Sequence, residues 1–299
     1  MSNQTNTNYE GRVGFCVGTG RCGTTFLAEV VDREPEVAAA HERERLAATF
    51  HMFCKWHNIP IDSEGFLHAK ESEIRPDLET HRFSFESSAL LSHSLEELYD
   101  RFRARFLLLV RSPAETVASF AVRGWFLRTP VRSDTTLPPS HAGSEEARHF
   151  LGRNIPNGPE FERWAGLTQI GRLAWFWQAR NRAILEQFHR LPKSHCRVVR
   201  LEELDFDEYQ EIAHHFGWRS QVDRDTFSEL VQTRPNAGPN TPRLFMDWTP
   251  KESAEFEAEV APVATALGYE YQVGILAKQP GLGVHKERPP LPAILAHLF

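Results

Sequence analysis

Apolar and polar positions along the chain follow two periods, and their alternation predicts the secondary structure. Continuous or alternating apolar runs predict short strands at residues 14–17, 82–85, 105–110 and 196–201. Residues 36–40 are compatible with either a short strand or a turn. Helical spacing predicts helices over residues 24–32, 41–57, 95–103, 114–125, 167–190, 207–216, 223–232 and 253–267. Strands that alternate with helices favour an α/β fold, with a central parallel sheet flanked by helices.

The helix predicted over residues 41–57 carries apolar side chains at a spacing that puts them on one face. That face, which we expect to be buried, consists of Leu46, Phe50, Phe53 and Trp56. The segment that follows, residues 63–78, is largely polar, and its pattern is ambiguous.

The length and composition are those of a globular protein. At 299 residues the chain can form one large α/β domain or two small ones, and 41% hydrophobic and 25% charged residues are typical of a soluble fold. We expect a polar, disordered segment at residues 1–10, one domain over residues 11–272 and a tail at residues 273–299. Within the domain, residues 124–166 are rich in proline, glycine, serine, asparagine and arginine, and we expect this insertion to shape the substrate pocket.

The net charge, the first residues and the cysteines indicate which classes of partner and which cellular compartment to expect. A net charge of −6 disfavours nucleic-acid binding, so an anion site requires a local group of arginines. The segment MSNQTNTNYEGR lacks the apolar core of a signal peptide, and no apolar run reaches the ~18 residues of a membrane span. The four cysteines show no metal-ligand spacing. We therefore expect a cytoplasmic protein with reduced thiols and no metal.

The stretch from Val13 to Ala28, VGFCVGTGRCGTTFLA, predicts an anion-binding loop. A buried strand, a glycine-rich turn and the start of a helix direct backbone N–H groups and the positive end of the helix dipole at one point. Arg21 adds a charged donor, and Thr24 and Thr25 add hydroxyl groups. Cys22, beside Arg21 at the helix N-terminus, is expected to have a lowered thiol pKa, but we interpret it as a loop residue and not as a nucleophile.

The loop differs from the nucleoside-triphosphate motif G-x-x-x-x-G-K-[ST] at one position. Thr24 replaces the lysine that would reach the terminal phosphates, and the cation has moved into the loop as Arg21. The apolar strand 105–110 is also followed by Arg111, where an NTPase is expected to have a Mg²⁺-binding aspartate. Both differences weigh against metal-dependent hydrolysis of a nucleoside triphosphate. An ordinary strand-to-helix turn is the alternative interpretation of the loop.

A second cation site is predicted in the segment LLLVRSPAETVASF, residues 107–120. Arg111 follows a buried strand at the rim where open α/β sheets bind ligands, and Ser119 lies about two helical turns further on. The two residues could share one anion; alternatively, Arg111 pairs with Glu115 and Ser119 lies on the helix surface. Two cationic sites, one with Arg21 and one with Arg111, suit a nucleotide that carries two separate phosphate groups.

These segments resemble the sulfotransferases that use 3′-phosphoadenosine 5′-phosphosulfate (PAPS). The resemblance rests on GTGRCGTTFLAE, FLLLVRSPAETVASF and CRVVRLEEL, covers about residues 12–271, and is greatest for the bacterial and Golgi-type carbohydrate branch. It implies a P-loop-NTPase-like sulfotransferase fold and a metal-independent, in-line transfer of a sulfuryl group. The acceptor would be a hydroxyl or an amine of a sugar or small metabolite, and the nucleotide product would be 3′,5′-bisphosphoadenosine.

The resemblance also implies roles for individual residues. The 5′-phosphosulfate would be bound by Gly20, Arg21, Cys22, Gly23, Thr24 and Thr25. The 3′-phosphate would be bound by Arg111 and Ser119, with Arg243 as a looser match near this phosphate or the adenine. Arg21 would also be catalytic, together with a general base about twenty residues after it, for which Glu42 is preferred over His41. A solvated helix start is the alternative for the segment HERER.

Other features of the sequence leave alternatives open. The family often carries E-K-[ST] after the middle strand, whereas this chain has Glu86-Ser87-Ser88, so either Arg21 acts alone or a loop cation such as Arg123 or Arg128 replaces the lysine. Two other classes of protein remain: a P-loop kinase or NTPase, and a non-catalytic nucleotide-binding protein that docks through the apolar residues 291–299. The number of subunits, a homo-oligomer included, is left open.

Overall fold

The computed structural model describes residues 9–127, 152–233 and 247–269, and a five-stranded sheet forms the centre of this part of the chain. The strands are β1 (Val13–Val17), β2 (Val37–His41), β3 (Phe83–Ser87), β4 (Arg105–Val110) and β5 (Cys196–Arg200). They lie in the order β2-β3-β1-β4-β5, and every neighbouring pair is parallel. The expected α/β fold with a central parallel sheet flanked by helices is confirmed.

Helices connect the strands and cover both faces of the sheet. They are α1 (Thr24–Val31), α2 (Arg45–Trp56), α3 (Ser63–Thr80), α4 (Leu95–Phe102), α5 (Pro113–Val122), α6 (Glu160–Ala165), α7 (Gln169–Arg190), α8 (Phe206–Phe216), α9 (Arg224–Thr233) and α10 (Pro250–Ala266). Parallel strands need such crossovers, because each strand must start again at the same edge of the sheet. The C-terminal ends of the strands therefore meet at the opposite edge, together with the loops that follow them.

Successive residues of a strand point into two separate hydrophobic cores. In β4, Phe106, Leu108 and Val110 pack into one core with residues of α5, α7 and α10. Leu107 and Leu109 pack into the other core with residues of α1, α8 and α9. Because both faces are covered, a central strand is apolar at nearly every position, and all of β1 is buried.

The helix predicted over residues 41–57 begins later than expected. His41 is the last residue of β2, and α2 begins at Arg45. Between them, Glu42 and Glu44 have left-handed φ angles of 51° and 43°, which end the strand and turn the chain into the helix. The sequence pattern missed this turn because glycine, the usual residue for a left-handed conformation, is absent from it.

The buried face of α2 also differs from the expected one. Leu46 and Phe50 are 60% and 51% exposed, and of the four apolar residues expected in the core Phe53 is the one that is buried. Ala48 and Met52, four residues apart, lie on the side that packs against the protein. The prediction failed because apolar residues occur on more than one side of this helix, and spacing alone does not rank those sides.

Two helix starts show how local capping decides the boundaries. The ambiguous polar segment 63–78 forms α3, whose first turn is capped by Asp62: its carboxylate accepts a hydrogen bond from the backbone N–H of Glu64 at 3.0 Å. The last helix, α10, begins three residues before the expected position, because Thr249 and Glu252 form a reciprocal capping box ahead of it.

Several sequence predictions fall outside the described residues. They concern the segment up to residue 8, most of the insertion (residues 128–151, with Arg128), residues 234–246 with Arg243, and the segment from residue 270 onward. The rest of the insertion includes α6. Within the described ranges, none of the helices combines the length and apolar character needed to cross a membrane.

Candidate active site

The loop between β1 and α1 has the geometry of an anion-binding turn. Gly20 and Gly23 have left-handed φ angles of 81° and 96°, and Arg21 has a φ of 58°. Gly23 is the N-cap of α1 and has no side chain that could cap the helix, so the N–H groups of the first turn are directed at the space in front of it. A Cβ on Gly18 would lie 2.6 Å from the carbonyl oxygen of Leu109, so this approach of the loop to β4 requires glycine.

Cys22 points into the protein and not toward the anion position. Its side chain is fully buried, and burial raises the pKa of the thiol. The expected lowering of this pKa is therefore wrong, because desolvation outweighs the hydrogen bonds with Gly20 and Thr19 that favour the thiolate. The Cys22 side chain is placed for packing behind the loop rather than for binding a ligand.

The structure brings the two predicted cation sites together. The Nε atom of Arg21 donates a hydrogen bond to Ser119 Oγ at 3.0 Å, and Nη1 of Arg111 lies 3.5 Å from the carbonyl oxygen of Arg21. The pKa of Arg21 is lowered, chiefly by burial and then by the charges of Arg123 and Arg111. Three like-charged guanidinium groups are thus gathered beside the loop, an arrangement that a bound anion would stabilise.

Protein groups hold Arg111 at the end of β4. Its Nε lies 3.0 Å from Glu115 Oε2, which is the i,i+4 ion pair considered above as an alternative. The Arg111 and Glu115 side chains are 30% and 51% exposed, so the pair contributes only about 0.3–0.5 kcal/mol. The carbonyl oxygen of Arg111 accepts a hydrogen bond from Trp177 Nε1 at 3.2 Å, which fixes the rim of the sheet against α7.

His41 lies against the first turn of α1. Its Nε2 atom is 3.2 Å from Thr25 Oγ1 and 3.4 Å from Thr24 Oγ1. Burial, together with the charge of Arg45, lowers the pKa of His41 to about 4, so the ring is neutral at pH 7. A neutral imidazole can exchange hydrogen bonds with the two hydroxyl groups, but with this pKa it is a weak base.

Glu42 follows immediately at the same edge of the sheet. Its backbone N–H donates to the carbonyl oxygen of Ser87 at 3.2 Å, and its Oε2 lies 3.4 Å from Arg45 Nε. Burial raises the pKa of Glu42, and the charges of Arg45 and Arg180 partly oppose that rise. A left-handed φ at a residue other than glycine is uncommon and is often retained at functional sites. Glu42 is therefore a stronger base than a free glutamate, and it follows directly after His41, which contacts Thr24 and Thr25.

The C-terminal end of β3 contains a buried ion pair in place of the expected lysine motif. Glu86 is 4% exposed, and its Oε2 lies 2.9 Å from Nζ of Lys70 on α3. Its Oε1 accepts a hydrogen bond from the backbone N–H of Arg43 at 3.0 Å. Lys70 also lies 2.8 Å from Glu73 Oε2, so it offsets the charge of Glu86 only in part, and the two serines that follow Glu86 add no charge to the site.

A further cation near the loop was not singled out from the sequence. Arg180 lies in the middle of α7 and is 3% exposed, and its charge acts on both Cys22 and Glu42. The signal for it is an arginine within the largely apolar run WFWQARNRAIL. Its surroundings could not be inferred, because they come from segments far away in the sequence.

The predicted site also included Arg243 and no metal. Arg243 lies outside the described residues, so its role near the 3′-phosphate stays a prediction. Within the described ranges, no group of three or more histidine, cysteine, aspartate or glutamate side chains is placed to hold a metal ion.

Comparison with known proteins gives matches among solved structures at low sequence identity. Neither protein-family models nor curated proteins match the sequence. Among solved structures, the sulfotransferase domain from the Synechococcus PCC 7002 olefin synthase aligns with a TM-score of 0.46 and 12% identity, over 91% of this chain and 100% of that domain. The sulfotransferase domain from the curacin biosynthetic pathway aligns with a TM-score of 0.45 and 14% identity, over 88% of this chain and 99% of that domain.

Proposed function

We propose that the protein is a sulfotransferase with PAPS as its donor. The observation that carries the proposal is the contact between Arg21 in the loop and Ser119 on α5, with Arg111 beside them. The loop and the N-terminus of α1 suit a phosphate or sulfate group, and the adjoining arginines suit a second anion of the same nucleotide. The sequence motifs that resemble PAPS-dependent sulfotransferases include the same three residues.

In this proposal the donor binds along the C-terminal edge of β1 and β4. The backbone of Gly20 and Gly23, the Arg21 guanidinium and the hydroxyls of Thr24 and Thr25 hold the 5′-phosphosulfate. The 3′-phosphate is held by Arg111 and by Ser119, whose Oγ accepts a hydrogen bond from Arg21 Nε. The nucleotide product, 3′,5′-bisphosphoadenosine, retains both anchoring phosphates.

The transfer step requires charge stabilisation on the donor side. PAPS supplies the sulfuryl group, which passes in line to the acceptor oxygen or nitrogen. Negative charge then develops on the bridging oxygen toward the nucleotide, and Arg21 with the N–H groups of α1 is placed to stabilise it. These groups are fixed before the reaction, so little reorganisation accompanies the transfer, and the mechanism needs no metal.

Glu42 is the general base in this proposal. Its raised pKa brings it nearer to neutrality than a free carboxylate, which is the requirement for an effective base at pH 7. His41, with a pKa of about 4, instead orients the hydroxyls of Thr24 and Thr25 toward the donor.

We propose as the acceptor a hydroxyl or an amine of a sugar or small metabolite, which enters beside Glu42. The exposed side chains of Leu46 and Phe50 lie within the next two turns of α2. The proposed setting is cytoplasmic, and the reaction as described requires one copy of the chain.

A calorimetric titration tests the donor site. We expect 3′,5′-bisphosphoadenosine to bind with micromolar affinity in the absence of metal. Arg111→Ala removes a charged hydrogen bond to the 3′-phosphate and should weaken binding about 10- to 100-fold. The matched control is Arg82→Ala, since Arg82 is exposed and its partner there is Glu36, at 3.6 Å.

Other outcomes of this titration point to other functions. A preference for ADP with Mg²⁺ would refute the sulfotransferase assignment and favour a P-loop kinase or NTPase. Binding of the bisphosphate with no transfer from labelled PAPS to a panel of hydroxyl and amine acceptors would favour a non-catalytic nucleotide-binding protein.

A further inference from the structure

Arg180 is buried among neutral hydrogen-bond acceptors. Its Nη1 donates to the carbonyl oxygen of Ala89 at 2.9 Å, and its Nη2 donates to the carbonyl oxygen of Gly152 at 3.0 Å. Asn154 Oδ1 and Ser92 Oγ accept further hydrogen bonds from the same guanidinium. These partners come from the segment after β3 and from the segment before α6, so Arg180 joins two distant parts of the chain.

In the described parts of the chain, no counter-charge contacts the Arg180 guanidinium directly. Within residues 9–127, 152–233 and 247–269 it forms no ion pair with a carboxylate, and its Nε has no hydrogen-bond partner. Burial lowers its pKa to about 9, so the side chain stays charged at pH 7. The charge of Glu42 acts on Arg180 without an ion pair between the two side chains. A buried charge without a contacting counter-charge is destabilising, and a nearby anion would relieve that cost.

Two contacts connect this charge to the anion loop. The Ser92 hydroxyl lies 3.3 Å from Arg180 Nη1 and donates to the carbonyl oxygen of Gly18 at 3.1 Å. Ala89, whose carbonyl oxygen Arg180 binds, packs under the loop: a Cβ on Gly20 would be 3.8 Å from its Cβ. At each of these two contacts a single residue, Ser92 or Ala89, therefore lies between the Arg180 guanidinium and the loop.

We propose that Arg180 is a positioning residue for the anion bound by the loop of residues 18–25. Its buried charge stabilises that anion from behind the loop and supplies the positive charge that Glu86-Ser87-Ser88 does not provide. Arg180 acts through the loop and does not touch the ligand, because its side chain is almost fully enclosed. The inference rests on the proposed function, in which this anion is the 5′-phosphosulfate.

The test neutralises Arg180 without removing it. Asn154→Asp places a carboxylate against Arg180 Nη2 and also removes Asn154 Nδ2, a buried donor without a partner in the described chain. Inorganic pyrophosphate, titrated by calorimetry without metal, is the probe for the loop. We expect its affinity to fall about tenfold in this variant, while the melting temperature is retained or raised. Asn157→Asp is the control: it makes the same change in charge at an exposed residue three positions away.

The outcomes separate a role in anion binding from a structural one. Equal pyrophosphate affinities in Asn154→Asp and the wild type would overturn the proposal, and so would an equal loss in Asn157→Asp. Arg180→Met is the second variant, and it should also weaken pyrophosphate binding. This substitution leaves the carbonyl oxygens that Arg180 binds without a donor, so the melting temperature should fall as well. Wild-type protein that binds pyrophosphate but not 3′,5′-bisphosphoadenosine would refute the proposed donor and leave the role of Arg180 to be decided by the variants. Wild-type protein that binds neither pyrophosphate nor 3′,5′-bisphosphoadenosine would refute both the proposed donor and the proposed role of Arg180.

Discussion

At the scale of single residues, charged groups in the candidate site compete for the same partner. Arg111 contacts the carboxylate of Glu115 and also lies 3.5 Å from the carbonyl oxygen of Arg21, beside Ser119. A 3′-phosphate in this position would replace the glutamate as the partner of the guanidinium. The ion pair is exposed and weak, so the competition costs little binding free energy.

Removal of that competitor gives the first prediction. Glu115→Gln should strengthen the binding of 3′,5′-bisphosphoadenosine about twofold, because the pair contributes only about 0.3–0.5 kcal/mol and a nearby negative charge is lost. Calorimetry measures the change. Glu96→Gln, which removes an exposed ion pair with Arg190, should leave the affinity unchanged. An unchanged affinity in Glu115→Gln would show that the phosphate does not use Arg111.

The assignment of the base gives a second prediction. Glu42→Gln should lower kcat about 10²- to 10⁴-fold and leave the affinity for 3′,5′-bisphosphoadenosine unchanged, because a base acts only in the transfer step. The readout is transfer of labelled sulfate from PAPS to the best acceptor of a panel. His41→Gln should retain the acidic limb of the pH profile of kcat. Loss of that limb in His41→Gln, with activity retained in Glu42→Gln, would exchange the two roles.

At the scale of elements, the Lys70–Glu86 pair joins α3 to β3. Both side chains are almost fully buried, and their charged atoms lie 2.9 Å apart. We expect Lys70→Met to lower the free energy of unfolding by about 3–5 kcal/mol, because the Glu86 charge is then buried without its partner. The double variant Lys70→Met/Glu86→Gln should recover the part of that loss that is due to Glu86, whereas Glu73, the other carboxylate paired with Lys70, still lacks the lysine. Urea unfolding measures both.

An exposed pair provides the control for this prediction. Lys55 lies 2.5 Å from Glu97 Oε1 and is 37% exposed, so Lys55→Met should cost less than about 1 kcal/mol. A loss of similar size in Lys70→Met and Lys55→Met would mean that burial does not govern the cost of breaking the first pair.

Secondary-structure elements were predictable from the sequence where one physical rule dominates. Buried parallel strands read as continuous apolar runs, and so β4 was predicted with its observed bounds. The helix over residues 41–57 was misplaced because two left-handed glutamates start it late, and the buried face of α2 was wrong because Leu46 and Phe50 remain exposed. No local rule specifies a left-handed glutamate, since the surrounding structure imposes it.

The sequence predicted which residues form the candidate site, but not which of them contact one another. Motif resemblance named Arg21 and Ser119 separately, and the hydrogen bond between them depends on the packing of α5 beside the loop. The raised pKa of the Cys22 thiol was missed because sequence neighbours indicate charge but not burial. Arg180 was missed for a related reason, since its partners come from other segments of the chain.

At the scale of the whole molecule, burial keeps several histidines neutral. The pKa is lowered, with desolvation as the largest cause, for His41, His51, His93, His195 and His215. For His41 and His215 it falls to about 4, from an ordinary value of 6.5. Between these two values the unfolded chain binds more protons than the folded one, so stability is present above pH 6.5 and is lost as the pH falls toward 4.

Proton uptake on unfolding is the corresponding prediction. Urea unfolding at a series of pH values should give a free energy of unfolding that falls from pH 6.5 to 4.5, with a slope near pH 5.5 of at least about two protons, one each from His41 and His215. His215→Asn should reduce that slope by about one proton, since the ring that donates to the carbonyl oxygen of Phe106 is then absent. A free energy of unfolding that is constant over this range would contradict the prediction.

The position of β1 in the sheet determines when the anion loop can form. β1 comes first among the five strands along the chain but lies at the centre of the sheet, and Val13 pairs with Ser84 and Gly14 with Arg105. During synthesis this apolar strand therefore leaves the ribosome well before its two neighbours exist, and its pairing requires the closure of two long loops, which slows folding. A nascent chain that ends before β4 would contain every residue of the loop and still lack the Leu109 backbone against which Gly18 packs.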